Sequence, residues 1–170
     1  MEDPYVITII NDKIVLNASQ INKELYNNIK LKLIKEHESK CNQYGFVNKI
    51  YKLLDYKKTN ILDNGSVLFN IQYQAKICSP KIGDIIDAKI NKIHIGLISA
   101  SNGPIRIWIN TSNKINVDNL SINLNKELVH NKTKNVLKPD DNIIVRILDV
   151  EFLPNDTDIR VYAYLENLKT

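Results

Sequence analysis

Residues 66–77 alternate between apolar and polar side chains more regularly than any other part of this 170-residue chain. Every second residue from Val67 to Ile77 is apolar, and polar residues separate them, with Leu68 as the single exception. Successive side chains of a β-strand point to opposite faces, so the pattern predicts a long strand with one buried face. An Asp-Asn-Gly sequence at residues 63–65 predicts a tight turn leading into it.

The sequence before this strand predicts further strands and one amphipathic helix. We expect a strand over residues 5–10, a turn at 11–13, a short strand at 14–16, a strand over 45–51 and a lysine-rich loop at 55–60. Asn17 and Ser19 are suitable N-caps for a helix that ends near Glu38. A helix that covers a sheet is the favoured interpretation, and a nucleic-acid-binding helix is the alternative. The apolar stripe consists of Ile21, Leu25, Tyr26, Ile29, Leu33 and Ile34.

Pro80 and Gly83 interrupt the pattern and predict a boundary between one domain over residues 1–80 and a second over 81–170. Beyond them, apolar residues keep one phase up to Ile90 and take the opposite phase at Ile93 and Ile95, which predicts a β-bulge. Strands at 97–100, 105–109, 143–150 and 159–165 would complete a five-stranded OB-fold β-barrel. Residues 110–139 form a long excursion between barrel strands. The predicted fold class is α+β.

Charge and motif content favour a binding or structural protein over an enzyme. The net charge is +4: residues 1–80 carry 11 lysines against 8 acidic residues, and residues 81–170 carry 12 basic against 11 acidic residues. The cysteines and histidines lack metal-ligand spacing, and no glycine-rich phosphate loop or nucleophile motif occurs, so we expect no metal and no cofactor. We found no membrane-spanning run and no signal peptide, so we expect an intracellular protein.

Alternation within the barrel strands places a set of arginine and aromatic side chains on the outer face. Arginine beside aromatic rings suits single-stranded RNA, because bases stack on rings and cations follow the phosphates. The alternative is that these side chains pack against another domain or subunit. The candidate RNA-binding residues are Arg106, Trp108, Arg146, Arg160, Tyr162 and Tyr164.

Three segments of the sequence resemble one protein family. Residues 38–47 (ESKCNQYGFV) are similar to a Glu-Gly-x-Cys segment that leads to Tyr-Gly-Tyr/Phe-Ile, and residues 103–109 (GPIRIWI) to a Gly-Pro-Leu-x-x-Phe-Val strand. The central segment matches best, with Gly65, Phe69, Ile71, Tyr73 and Ala75 followed by Pro80, Gly83, Asp84, Asp87 and Ala88. The family is the stalk subunit of multisubunit DNA-dependent RNA polymerases, which includes the seventh subunit of RNA polymerase II, the archaeal E subunit and viral versions.

This resemblance implies an RNP-like α/β tip domain that docks on the polymerase core near the clamp, followed by the OB domain. It also implies a smaller helical partner of the fourth-subunit type, support of initiation, proximity to the nascent transcript and no active site. Such a subunit would work in the nucleus if cellular, or in a virion or viral factory if viral. A free-standing OB-fold protein that binds single-stranded RNA is the alternative. The candidate docking residues are Gln43, Tyr44, Gly45, Phe46, Asp63, Asn64 and Gly65.

The chain departs from the family pattern at two places on the surface that the resemblance associates with RNA. Residues 96–98 read Gly-Leu-Ile where the family has Gly-Phe-Phe. Residues 110–113 read Asn-Thr-Ser-Asn where it has Ser-Arg-His-Leu. Trp108 is the aromatic residue that remains there.

Overall fold

A four-stranded antiparallel sheet, in the strand order β1-β4-β3-β2, forms the first of two units in a computed structural model. The structure describes residues 3–94, 96–111, 119–123 and 127–169. We call the unit made of Tyr5–Ser79 and Leu153–Thr157 the sheet unit. Its elements are β1 (Tyr5–Leu16), a 3-10 helix (Ala18–Gln20), α1 (Leu25–His37), β2 (Cys41–Asn42), β3 (Gly45–Ile61) and β4 (Val67–Cys78).

The core of the sheet unit lies between α1 and one face of the sheet. The predicted alternation of β4 is confirmed, because its apolar residues from Val67 to Ile77 are all buried. Ile29 and Leu33 of α1 are fully buried against this face, and Leu25 and Ile34 pack at its border. The helix therefore covers a sheet, as its apolar stripe predicted. The turn at residues 63–65 is also confirmed: Gly65 has φ +78°, and Leu62 N donates to Ser66 O over 2.8 Å.

The predicted turn at residues 11–13 is wrong, because β1 continues through it to Leu16. Each residue from Tyr5 to Leu16 pairs with β4 without a break in register. Asn11 and Lys13 are exposed on this edge strand, where polar side chains are tolerated. The continuous partner strand outweighs the local turn preference of the three residues.

The predicted lysine-rich loop at residues 55–60 is also wrong, because these residues belong to β3 and pair with β4. Four register shifts interrupt this pairing, and each inserts an extra residue into β3. Buried positions consequently recur at every third residue, at Val47, Ile50 and Leu53, instead of every second. The bulges thus remove the period-two alternation from which a strand is predicted in a sequence.

The start of the helix also differs from the prediction. Asn17 is the N-cap of the short 3-10 helix, and Ser19 lies within that helix. The α-helix α1 begins only at Leu25. Ile21 precedes α1 and is exposed. The Asn22 side chain accepts a hydrogen bond of 2.9 Å from the backbone N–H of Glu24, which satisfies a donor just before the helix.

The second unit, the barrel unit, contains Pro80–Phe152 and Asp158–Thr170. Its five long strands close into a barrel of order β10-β11-β7-β6-β5, a topology consistent with the predicted OB-fold. The predicted bulge is confirmed by a register shift between Ile90 and Lys92, while Ile95 lies outside the described residues. The strands are β5 (Ile85–His94), β6 (Leu97–Asn102), β7 (Ile105–Asn110), β8 (Leu120–Ile122), β9 (Leu128–His130), β10 (Asn142–Glu151) and β11 (Ile159–Leu168).

The excursion between β7 and β10 contains a hairpin that the sequence did not predict. Strands β8 and β9 pair antiparallel with each other, and residues 112–118 and 124–126 lie outside the described residues. Asn119 is buried, and its side-chain amide donates to Leu165 O and to the Tyr164 hydroxyl, each over 2.8 Å. These bonds attach the excursion to β11. Within the described residues, no helix is long and apolar enough to cross a membrane.

Candidate functional site

The outer face of the barrel brings the candidate RNA-binding residues together on three adjacent strands. β7 and β11 run parallel, and Arg106 pairs in register with Arg160 while Trp108 pairs with Tyr162. β10 lies on the other side of β11, where Arg146 pairs with Tyr164. The predicted face assignment therefore holds.

Carboxylates lie beside the guanidinium groups of Arg106 and Arg146. Arg146 Nε forms a short ion pair with Glu166 Oε1, and Arg106 Nε lies 3.7 Å from Asp158 Oδ2. All four side chains are partly exposed, so water screens these pairs and each contributes little to stability. They nevertheless offset positive charge that a phosphate backbone would use. Alternation indicated the strand faces, but these carboxylate partners were not apparent from it.

The aromatic side chains of this face differ in their accessibility. Tyr162 is 45% exposed, whereas Trp108 and Tyr164 are half-buried. The Tyr164 hydroxyl already accepts the bond from Asn119. Trp108 and Tyr162, side by side in register, are consequently the two rings best placed to receive a stacked base.

The candidate docking residues fall at two separate turns. Cys41 and Asn42 of β2 pair with Phe46 and Gly45 across the first turn, in which Tyr44 is 49% exposed. Phe46 is buried and so supports the turn from within.

Gly45 fits the first turn through its lack of a side chain. Its φ is +135°, and a Cβ placed there would lie 2.3 Å from the carbonyl oxygen of Cys78. A larger residue would have to displace the backbone of β4.

The second docking candidate is the turn that contains Asp63, Asn64 and Gly65, which joins β3 to β4. The Asn64 side chain accepts a hydrogen bond of 3.0 Å from the backbone N–H of Ser66. Because the two turns lie at opposite ends of the pairing between β3 and the 12-residue β4, they are roughly 40 Å apart at about 3.3 Å per strand residue. The structure therefore does not bring the two groups of docking candidates together.

Titratable groups in the described residues do not form a metal-binding cluster of three or more histidine, cysteine or acidic side chains. Cys41 and Cys78 are buried thiols of the sheet unit and are not joined in a disulfide. Burial lowers the pKa of His130, and the nearby Lys132 lowers it further, so this side chain favours its neutral form. The Nδ1 atom of His130 lies 3.0 Å from Thr133 Oγ1 within the excursion.

Barrel topology together with arginine and aromatic side chains on one outer face is typical of OB-fold binding proteins. No protein-family model matches the chain. The L376 protein of Acanthamoeba polyphaga mimivirus, which is provisionally named as a DNA-directed RNA polymerase subunit, is 27% identical over 169 residues, which cover 98% of this chain and 84% of that protein.

Two cellular proteins match about half of the chain, over about half of their own lengths. DNA-directed RNA polymerase II subunit rpb7 of Dictyostelium discoideum is 34% identical over 82 residues, covering 46% of this chain and 47% of that protein. Subunit RPB7 of Glycine max is 28% identical over 96 residues, covering 55% and 54% respectively. These relatives confirm the resemblance found in the sequence: the chain is related to the stalk subunits of DNA-directed RNA polymerases.

Proposed function

We propose that this chain is a stalk subunit of a DNA-directed RNA polymerase and acts as an accessory subunit without an active site. The observation that carries the proposal is the similarity to the mimivirus polymerase subunit along 98% of the chain. A sheet covered by a helix and followed by an OB-type barrel fits the two-domain order that the resemblance implied. The domains over residues 1–80 and 81–170 remain part of this proposal.

In the finer form of the proposal, the sheet unit is the RNP-like tip domain and docks on the polymerase core near the clamp. The exposed Tyr44 and the turn around Asn64 are the two candidate contacts. A smaller helical subunit of the fourth-subunit type would complete the stalk, which would support initiation and meet nascent RNA through Trp108 and Tyr162. The site of action would be the nucleus or a viral factory, wherever the polymerase works.

Affinity purification of the tagged chain tests the assembly. We expect it to recover the large polymerase subunits and a small helical protein; recovery of neither would refute the proposal. Because the two turns lie at opposite ends of β3, matched variants can identify the docking end. Loss of the large subunits from Tyr44→Ala but not from Asn64→Ala assigns docking to the first turn, and the reverse result assigns it to the second.

A free-standing OB-fold protein that binds single-stranded RNA is the second candidate. The paired Trp108 and Tyr162 on adjacent strands favour it. It predicts that the purified chain binds an oligouridylate at low salt and that Trp108→Ala weakens binding by about 1–3 kcal/mol, the contribution of one stacked base. Tyr51→Ala, an exposed aromatic of the sheet unit, is the control. Equal binding by the wild-type chain and Trp108→Ala would contradict this function.

A further inference from the structure

Two Asn-Gly pairs occur in the chain, and the structure holds them in different ways. Asn64-Gly65 lies in the turn between β3 and β4, and Asn102-Gly103 lies where β6 turns into β7. An asparagine followed by glycine can lose its side-chain amide without an enzyme, because glycine has no side chain to hinder attack by its own backbone nitrogen. The surroundings of each pair therefore decide how readily the reaction occurs.

The first pair is open to solvent. Asp63, Asn64 and Gly65 are all exposed, and a Cβ placed on Gly65 would meet no other described residue within 4 Å beyond its chain neighbours. The backbone N–H of Gly65 donates to Leu62 O over 2.9 Å, and this bond has to open before the nitrogen can attack. Water can replace it at an exposed turn, so the turn has both the space and the solvent that the reaction needs.

A backbone donor is already directed at the oxygen on which charge develops. Ser66 N donates to Asn64 Oδ1 over 3.0 Å, and the ring that this bond closes contains both Cγ of Asn64 and the nitrogen of Gly65. Attack on Cγ turns Oδ1 into an oxyanion, which a fixed N–H group stabilises. Ser66 is itself buried, and its hydroxyl donates to Asn17 Oδ1 over 3.3 Å, so the donor is held in place.

The second pair is restrained at its leaving group. Asn102 is half-buried, and its Nδ2 donates to Asp87 O of the neighbouring strand β5 over 2.9 Å. Because Nδ2 is the atom that departs as ammonia, this hydrogen bond must break before the amide can be lost. The main chain is restrained as well, since Asn102 pairs with Ile105 across the β6–β7 ladder.

We propose that Asn64 is a site of spontaneous deamidation and isoaspartate formation, and that the fold protects Asn102 from the same reaction. The nitrogen of Gly65 gives its proton to solvent and attacks Cγ of Asn64; the Cγ–Nδ2 bond breaks, and the nitrogen leaves as ammonia after taking a proton from solvent. Water then opens the succinimide ring at Cγ to give aspartate, or at the main-chain carbonyl to give isoaspartate. The reaction consumes one water and releases one ammonia, with no oxidant or cofactor.

This modification changes both the charge and the shape of the turn between β3 and β4. Each event adds a carboxylate beside Asp63 and lowers the net charge of +4 by one. Isoaspartate also inserts its Cβ into the main chain, which lengthens the turn that the 2.8 Å bond from Leu62 N to Ser66 O now closes. The aged protein is therefore separable by ion exchange. The inference depends on neither polymerase docking nor the proposed stalk function.

Peptide mapping by mass spectrometry of the full chain, aged at neutral pH, tests the proposal. Trypsin places Asn64 in the peptide 59–76 and Asn102 in the peptide 93–106, and fragmentation assigns the mass gain to one residue. We expect Asn64 to convert roughly tenfold faster than Asn102 in the folded chain, about the factor that one retained hydrogen bond supplies. A protein isoaspartate methyltransferase, used as a reagent, should label the aged 59–76 peptide.

The same measurement in concentrated urea separates the effect of the fold from that of the local sequence. Both pairs are Asn-Gly, so their rates should become similar once the chain is unfolded. Conversion of Asn102 as fast as that of Asn64 in the folded chain would overturn the proposal. A preference for Asn64 that is as large in urea as in the folded protein would also overturn it.

A matched pair of variants assigns the charge change to its residue. Glutamine at either position would have to form a larger ring, so it reacts more slowly than asparagine. Asn64→Gln should remove most of the acidic species that ion exchange resolves in the aged protein, whereas Asn102→Gln should leave it unchanged. An acidic species that persists at full yield in Asn64→Gln would contradict the assignment.

Discussion

Replacement of Gly45 by alanine should destabilise the sheet unit more than the same replacement of Gly65, the glycine of its other turn. The new Cβ would lie 2.3 Å from Cys78 O and 3.1 Å from Ile77 Cγ2, so the backbone of β4 or of the turn must move. Overpacking of this kind costs about 1–3 kcal/mol, and an unfavourable backbone conformation adds about 1–3 kcal/mol. We therefore expect Gly45→Ala to lower the free energy of unfolding by about 2–6 kcal/mol.

Gly65→Ala is the matched control, because Gly65 also has positive φ but a Cβ placed there would meet no other described residue within 4 Å beyond its chain neighbours. It carries the backbone cost alone, about 1–2 kcal/mol. Urea unfolding followed by far-UV circular dichroism compares the two variants, and Trp108 fluorescence reports the barrel unit separately. Equal unfolding midpoints for Gly45→Ala and Gly65→Ala would refute the reasoning from the close approach to Cys78.

Four further substitutions test the core of the sheet unit and the excursion. Leu33→Ala should cost about 2–5 kcal/mol in urea unfolding because Leu33 is fully buried, whereas the exposed Leu31→Ala should change stability by less than about 0.5 kcal/mol. Asn119→Ala should cost about 1–3 kcal/mol because it removes the hydrogen bonds that the buried Asn119 amide donates to Leu165 O and to the Tyr164 hydroxyl; unchanged thermal stability would contradict this. His130, whose pKa burial and Lys132 lower, binds a proton more readily in the unfolded chain, so thermal stability should fall as pH drops below about 6.5. His130→Asn should flatten that pH dependence, and an equally steep dependence in the variant would exclude His130 as its source.

Much of the fold could be predicted where one side-chain period persists along a strand. β4 and β7 each have one buried face, and strict alternation reports this directly. The bulge in β5 was also predictable, because the apolar phase changes within one continuous segment. β3 was not, since its repeated bulges replace a period of two by one of about three. The turn residues at 11–13 misled for a different reason: β4 supplies a partner along the whole of β1.

For the candidate site, the sequence likewise predicted the strand faces but not which strands lie next to each other. Alternation alone placed Trp108 and Tyr162 on the outer face, but their adjacency depends on the parallel pairing of β7 with β11. The ion pair of Arg146 with Glu166 likewise required the structure. Lys57 was predicted in a loop, so its pairing with Asn70 of β4 was missed as well.

The segment Leu153–Thr157 has a consequence for the order in which the protein can fold during synthesis. Although it follows β10 in the sequence, it belongs to the sheet unit, where Cys41 N donates to Asp156 O over 2.7 Å and Asn155 N donates to Cys41 O over 2.8 Å. The four strands of that unit leave the ribosome first, but these two bonds must wait until most of the barrel sequence has been translated. The last strand, β11, emerges only afterwards and closes the barrel through its contacts with β7 and β10. Both units are consequently completed by the C-terminal end of the chain, and a truncation before residue 153 would leave each of them unfinished.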